Sequence, residues 1–290
     1  THFPDVAEAV GDTLLARAGQ LQELLPDLHL PKLLQGQHAE LRLDRNLVAA
    51  LLANAFLGTL PVNQRREAMP LVSFDRLIQV TSKAAQKAPH EKAKLRMILN
   101  YFERIGVEPL RGFVTVYRRC RPVLSRQATI EIWQGSGKPL LPLEVVRDSV
   151  GLEGEEGFGC LHADFANMFI GGGVLSGGCV QEEIRFAVCP ENMAAMCVCP
   201  AMLANESLTI EGAEQFSAYK GYGAGRVLGL RYGGNHVDRN ARDTEGTLLV
   251  ALCAMDAFDY RSEPDASLQR QMAVEHVMRE LEKAAAAFAP

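Results

Sequence analysis

The feature that most limits what this chain can fold into is a change of hydrophobic period at Gly112. Before it, apolar residues recur at intervals of three and four with few β-branched alternations, the repeat of amphipathic helices. After it, Phe113-Val-Thr-Val-Tyr117 alternates with a period of two and opens a series of short apolar runs separated by turn residues, the repeat of strands. The chain therefore reads as a helical region over residues 1–110 and an α/β unit over residues 111–290, with mainly parallel or mixed strand pairing.

Within the first part, Leu14, Leu15, Ala18, Leu21 and Leu25 form one stripe. Leu43 to Phe56 reads as a second helix, with Asp44 as N-cap and Gly58 as its stop. A further helix is expected from about His90 to Ile105, entered through Pro89 and ended by Gly106. In the second part, strands are expected at 113–117, 128–133, 160–164, 207–211, 226–231 and 247–253. Helices are expected over about 181–188, 191–204 and 267–288.

Composition narrows the class. With 290 residues and 48% hydrophobic content the chain can bury a substantial core. No run approaches the roughly eighteen apolar residues of a membrane helix, and the opening residues carry no basic stretch ahead of an apolar one, so a soluble, non-secreted protein is expected. The seven irregularly spaced cysteines fit reduced thiols in an intracellular protein. Cys189, Cys197 and Cys199 match no paired zinc-ligand spacing and read as buried thiols. A net charge of −5 argues against broad attraction to nucleic acid. Arg118, Arg119 and Arg121, and Arg226, Arg231, Arg239 and Arg242, make two local basic patches that read as solvated faces.

The chemistry concentrates between Asp164 and Phe186. An expected strand delivers Asp164, a glycine triplet follows at 171–173, and two adjacent carboxylates, Glu182 and Glu183, stand at the expected opening of a helix. Consecutive glycines adopt dihedrals closed to other residues and let a ligand approach the peptide N–H groups, so such a loop can hold a diphosphate. By itself the triplet reads more readily as a tight turn. With Gly177 it also loosely resembles a dinucleotide-cofactor loop, although it lacks the acidic residue expected on a second strand about twenty residues further on. Glycoside cleavage needs a proton donor for the departing oxygen and stabilisation of an oxocarbenium-like centre, roles carboxyl groups fill. Adjacent residues point about a hundred degrees apart on a helix, so one can hold a sugar while the other does acid–base work.

Gly171-Gly-Gly173, seven residues, then Gln181-Glu182-Glu183 resembles the signature of the poly(ADP-ribose) glycohydrolase family, flanked by the family-like Asp164-Phe-Ala-Asn167 and Ile184-Arg-Phe186. Leu47 to Phe56 is similar to that family's helical accessory region, and Glu214 to Tyr222 to the segment carrying its adenine-stacking tyrosine. The resemblance implies a macrodomain-type α/β core, a mixed sheet flanked by helices, with the helical region packed on it as an accessory unit. It implies hydrolysis of ribose–ribose bonds in poly(ADP-ribose), without metal or redox cofactor. Glu183 would act as general acid and then base, Glu182 would hold the ribose, and Asn167 would steady that carboxylate. Asp164 would be catalytic or site-shaping. Gln181 would contact the nucleotide, Gly171, Gly172 and Gly173 would face the diphosphate, and Tyr219 would stack on adenine. Leu152 and Glu153 resemble the adenine-edge segment once one residue of slippage is allowed.

The same resemblance implies a second glycine-rich segment beyond the helix matched by Arg279 to Phe288. The sequence given ends at Pro290 before such a segment, so a C-terminally incomplete core is expected, and the alternative function is an ADP-ribose-binding module with little or no turnover. A nicotinamide-dependent oxidoreductase is the third reading. The implied partner is poly(ADP-ribose) on modified proteins, degraded from its ends by a monomer, in the nucleus or cytoplasm and in the response to DNA damage. Neither a nucleic-acid nor a membrane partner is expected.

Overall fold

A computed structural model describes residues 3–60, 68–83, 89–139, 141–145, 157–225, 227–260, 264–265 and 267–288. The N-terminal region holds helices α1 (Phe3–Gly19), α2 (Leu21–Leu24), α3 (Arg45–Phe56), α4 (Asp75–Lys83) and α5 (Pro89–Ile105), and contributes one strand, β1 (Ala39–Asp44). The rest runs β2 (Phe113–Cys120), α6 (Arg126–Gln134), β3 (Leu161–Ala166) and α7 (Gln181–Val188). A 3-10 turn (Pro190–Met193) leads into α8 (Ala194–Val198), β4 (Glu206–Glu211), β5 (Ser217–Lys220), β6 (Arg231–Asn235), β7 (Ala251–Asp256), α9 (Leu268–Gln271) and α10 (Val274–Phe288).

Five strands form one mixed sheet in the order β1-β2-β4-β7-β3, and β5 with β6 makes a separate antiparallel hairpin. Only β3 and β7 among the paired strands run parallel, with Asp164 opposite Ala254. Ligands of open α/β sheets bind beyond the carboxyl ends of parallel strands. That rule directs attention to the residues after Ala166. On β3, His162, Asp164 and Ala166 point inward and Phe165 outward, so the period of two alone places Asp164 beneath that end of the sheet.

The N-terminal helices form as their patterns predict. Asp44 caps α3 by accepting from the Asn46 N–H at 2.7 Å, and Gly58 takes a left-handed φ of 71° just beyond its end. Leu14 and Leu21 are buried as expected, whereas Leu15 is 64% exposed. Leu43 belongs to β1, paired with Val114 of β2, and not to the helix that follows. The region is therefore joined to the sheet by a strand as well as by helix packing.

Other expectations are corrected. Residues 128–133 were expected as a strand and form the body of α6, because Ser125 caps it (Ala128 N–H to Ser125 Oγ, 3.2 Å) and Gln127 bonds Glu131 one turn on at 2.8 Å. Of the strand expected at 226–231, residue 226 lies outside the described residues and, of the rest, only Arg231 is in a strand; the one expected at 247–253 begins at Ala251. The helix expected over 191–204 is the short pair ending at Val198, and the last helix breaks after Gln271 and resumes at Val274. Arg118 lies in no solvated patch: it is fully buried, donating to Glu206 and to the carbonyl of Pro200. Arg121 is paired with Glu282 and Arg242 with Glu214. No described helix is long and apolar enough to cross a membrane.

The two regions meet on a buried ion cluster. Arg45 of α3 is 2% exposed and donates to Glu191 and Glu214, each at 2.8 Å, and to the Arg111 carbonyl at 3.2 Å. At the other end of the sheet, Arg279 and Lys283 of α10 pair with Asp256, fixing that helix over the terminus of β7.

Candidate active site

The chain leaves β3 at Ala166, passes through the glycine turn, and enters α7 at Gln181. Glycine is required in that turn for reasons of space as well as dihedral angle. Gly171 and Gly172 adopt left-handed φ values of 88° and 49°. A Cβ on Gly172 would stand 2.5 Å from Glu182 Oε2 and 2.7 Å from Glu183 Oε1, and one on Gly178 would stand 2.4 Å from Glu183 Oε1. The side chains missing from the turn are replaced by two carboxyl groups.

Those carboxyl groups are held by backbone amides. Glu182 Oε1 accepts from Gly171 N–H at 2.7 Å and its Oε2 from Asn167 N–H at 2.9 Å. Glu183 Oε1 accepts from Gly173 N–H at 2.9 Å, and its Oε2 reaches back to the N–H of Val180 at 2.8 Å, capping the helix it belongs to. Both residues are buried, Glu182 at 2% and Glu183 at 7% exposure. Burial, then the neighbouring Asp164, push the Glu182 carboxyl well above the usual carboxylate range, against the pull of its two amide bonds. Glu182 is thus set to carry a proton near neutral pH.

The structure brings together Asp164, Asn167, Gly171, Gly172, Gly173, Gln181, Glu182 and Glu183. Asn167 steadies Glu182 with its backbone N–H, while its side chain accepts from Phe169 N–H at 2.9 Å. Gln181 lies along the outer edge of β3, donating to the Ala163 carbonyl at 3.0 Å and accepting from Phe165 N–H at 2.9 Å, as a pairing strand would. The N–H groups of Gly171 and Gly173 serve the two glutamates and that of Gly172 serves the Phe169 carbonyl at 3.0 Å, so all three are paired within the protein. Leu152 and Glu153 lie outside the described residues.

Tyr219 stands half-buried on β5, opposite Tyr232 of β6. Its hairpin is tied to α7 by the Phe216 N–H, which donates to the Val188 carbonyl at 2.9 Å. It is tied to α5 by Asn100, whose amide donates to Phe216 O and Ser217 Oγ at 3.1 Å each and whose Oδ1 accepts from Tyr232 at 2.9 Å. Lys94 of the same helix is fully buried and donates to the carbonyls of Gly173, Ser176 and Gly178. Neither residue was singled out in the sequence. The signal was available, because Lys94 and Asn100 sit among buried Met97, Ile98, Tyr101 and Ile105 on a helix whose other polar residues could face water.

Clefts of about 520 and 450 Å³ lie elsewhere, the first at the amino ends of β3 and β7 around Leu161 and Ala251, the second around Arg45 and Arg242. Among the described residues no group of three or more His, Cys, Asp or Glu side chains could hold a metal ion.

A mixed sheet whose parallel pair leads into a glycine turn, and a helix that opens on two amide-clamped carboxyl groups, define an α/β protein with a buried carboxyl pair at the carboxyl ends of its parallel strands. Residues 130–290 match the family described as "Poly (ADP-ribose) glycohydrolase (PARG), Macro domain fold", and residues 7–118 match "Poly (ADP-ribose) glycohydrolase (PARG), helical domain". The chain is 34% identical over 247 residues to Poly(ADP-ribose) glycohydrolase 1 of Arabidopsis thaliana, a match covering 83% of this chain and 43% of the relative. It is 34% identical over 222 residues to Poly(ADP-ribose) glycohydrolase 2 of Caenorhabditis elegans, covering 76% of this chain and 43% of the relative. The matched segment is thus less than half the length of these curated relatives. The chain belongs to the poly(ADP-ribose) glycohydrolase family, with the macrodomain-type fold of its catalytic region.

Proposed function

We propose that this chain hydrolyses the ribose–ribose bonds of poly(ADP-ribose) and releases ADP-ribose, with Glu183 as the acid–base group. The observation that carries the reading is the clamping of two adjacent carboxyl groups by the amides of one glycine turn, beyond the carboxyl ends of β3 and β7. Family membership and the names of the relatives support the substrate. Held by amides of a rigid turn, Glu183 delivers its proton to the departing ribose oxygen as the glycosidic bond breaks. Water then adds to the sugar carbon, giving up its proton to the same carboxylate and restoring the acid.

Glu182, kept protonated by burial and by Asp164, donates a hydrogen bond to a ribose hydroxyl without setting a second negative charge beside Glu183. Tyr219 stacks on the adenine, and Gln181 holds the β3 edge against which the nucleotide lies. The seven free thiols support a reducing compartment, nucleus or cytoplasm, where the polymer formed in response to DNA damage would be the substrate.

Release of ADP-ribose from purified polymer by the chain, by Glu183→Gln and by Glu182→Gln tests the assignment. Loss of at least about 100-fold is expected for Glu183→Gln. Equal rates for Glu183→Gln and the parent would remove Glu183 from the chemistry. A second reading has one observation in its favour: every oxygen of both carboxyl groups already accepts an amide N–H. On that reading the chain binds ADP-ribose without turning polymer over, and calorimetry would give affinity where the assay gives no product.

A further inference from the structure

Lys94 is a buried cation that no step of the proposed reaction uses. It reaches from α5, in the helical region, into the turn between the glycine triplet and α7, where its ammonium donates to Gly173 O at 3.2 Å, to Ser176 O at 2.7 Å and to Gly178 O. Three carbonyl oxygens turned toward one point repel one another, and a cation with three donors is the side chain that satisfies them together. The same turn defines the place of the Glu183 carboxyl: Gly173 N–H binds its Oε1 at 2.9 Å, and the bare Cα of Gly178 leaves that oxygen room. Lys94 therefore acts on the backbone that Glu183 rests against.

We propose that Lys94 is a positioning residue for Glu183: by drawing the carbonyls of Gly173, Ser176 and Gly178 together it sets the turn that aims the acid, so that the helical region is part of the active centre. The inference rests on the reading of Glu183 as the acid–base group. The groups facing the ammonium agree with it. Glu183, Glu91 of α5 and Cys179 at the end of the turn all favour the charged form, while burial opposes it more strongly and brings the Lys94 pKa down to about 8. A cation is kept there at a cost in desolvation, as a site needing a charge and three donors would require.

The test is Lys94→Met in the full chain, which keeps the length of the stem and removes the donors. It is read by steady-state kinetics on poly(ADP-ribose), by hydrogen exchange of the Gly173 and Val180 amides, and in combination with Glu183→Gln. The expected result is a fall in kcat of about 10- to 100-fold with KM within about twofold, since small misplacement of a reacting group costs that much. Exchange at both amides is expected to speed up, and Lys94→Met should slow the residual rate of Glu183→Gln no further. An unchanged exchange rate, a rise in KM at constant kcat, or an equal slowing in both backgrounds would overturn it. Should Lys94→Met fail to melt cooperatively, Lys94→Gln, which keeps two N–H donors without the charge, carries the same measurements with smaller expected changes. If Glu183→Gln alone is as fast as the parent, the acid–base assignment fails by itself, and amide exchange still decides whether Lys94 holds the turn.

Discussion

Lys94 and Glu183 hold Gly173 by its two backbone polar groups: the N–H donates to Glu183 Oε1 at 2.9 Å and the carbonyl accepts from Lys94 Nζ at 3.2 Å. One side chain comes from the helical region and the other from the α/β unit, so the turn between them is fixed from both parts of the chain. A carboxyl group that must meet a scissile bond in one geometry needs such support, because a shift of about 1 Å in a reacting group can cost two orders of magnitude in rate.

Gly178→Ala tests that geometry from the other side. Its new Cβ would stand 2.4 Å from Glu183 Oε1 and 2.8 Å from the Cα of Gly173, and the position has no left-handed φ to add backbone strain. The carboxyl group must move, so kcat on poly(ADP-ribose) is expected to fall by about 100-fold. Overpacking should cost about 1–3 kcal/mol in urea denaturation. Parent-like kcat in a folded Gly178→Ala protein would mean that the observed position of Glu183 is not the one used in catalysis.

Much of this arrangement is legible in the sequence, and what is not has identifiable causes. The helix over Gln181–Val188 was readable to the residue, because polar residues open it and apolar ones fill it. The cap at Asp44 was equally plain. Residues 128–133 misled because Thr129, Ile130 and Ile132 are β-branched and the two isoleucines flank Glu131, whereas Ser125 and the Gln127–Glu131 bond decide for a helix. The identity of the carboxylates was legible but the use of the glycines was not. Sequence shows that side chains are missing from the turn, and only the fold shows that Glu182 and Glu183 fill the space. Lys94 could have been found by asking why an ammonium lies on a buried stripe.

The raised pKa of Glu182 carries a pH signature. Burial and Asp164 make the folded protein hold this proton more tightly than the unfolded chain does. The resulting stability is present below the ordinary glutamate range and is lost as pH rises through the raised folded value. Glu182→Gln is neutral throughout, so the Tm of the variant relative to the parent should climb between about pH 5 and about pH 9, by roughly 2–4 °C for each kcal/mol involved. The substitution also turns an NH₂ toward an amide donor, an offset that does not vary with pH. A Tm difference independent of pH would mean that Glu182 has no such shift.

Arg45 should prove to be the main fastening between the two regions. Burial pushes the Glu191 carboxyl up and Arg45 draws it back down, and both groups are nearly inaccessible, at 2% and 0% exposure. Arg45→Met leaves Glu191 and Glu214 without this cation, and a loss of about 3–5 kcal/mol is expected from chemical denaturation. Arg45→Met with Glu191→Gln should recover part of that loss, since one of the stranded charges is gone. A double variant as unstable as the sum of its singles would show that the two side chains do not act as a pair.

The hairpin bearing Tyr219 offers the counterpart to the turn bearing Glu183, because its attachment to α5 can be loosened without touching the acid. Tyr232→Phe removes only the hydrogen bond to Asn100 Oδ1 at 2.9 Å and keeps the ring beneath Arg96, 4.6 Å from its centroid. Tyr219 faces Tyr232 across the hairpin next to a register shift at Ala218, so slack in β6 passes directly to Tyr219. If Tyr219 carries the adenine, Tyr219→Ala should weaken ADP-ribose binding by about 1–3 kcal/mol, the usual worth of base stacking on an aromatic ring. Tyr232→Phe should weaken it by about 1 kcal/mol or less, the net value of one hydrogen bond. In both, kcat at saturating polymer should stay near that of the parent, because the linkage between Gly173 and Glu183 is untouched. Calorimetry that finds parent-like Kd for Tyr219→Ala would move the adenine off this hairpin, whereas a fall in kcat with unchanged Kd would tie the hairpin to the acid instead.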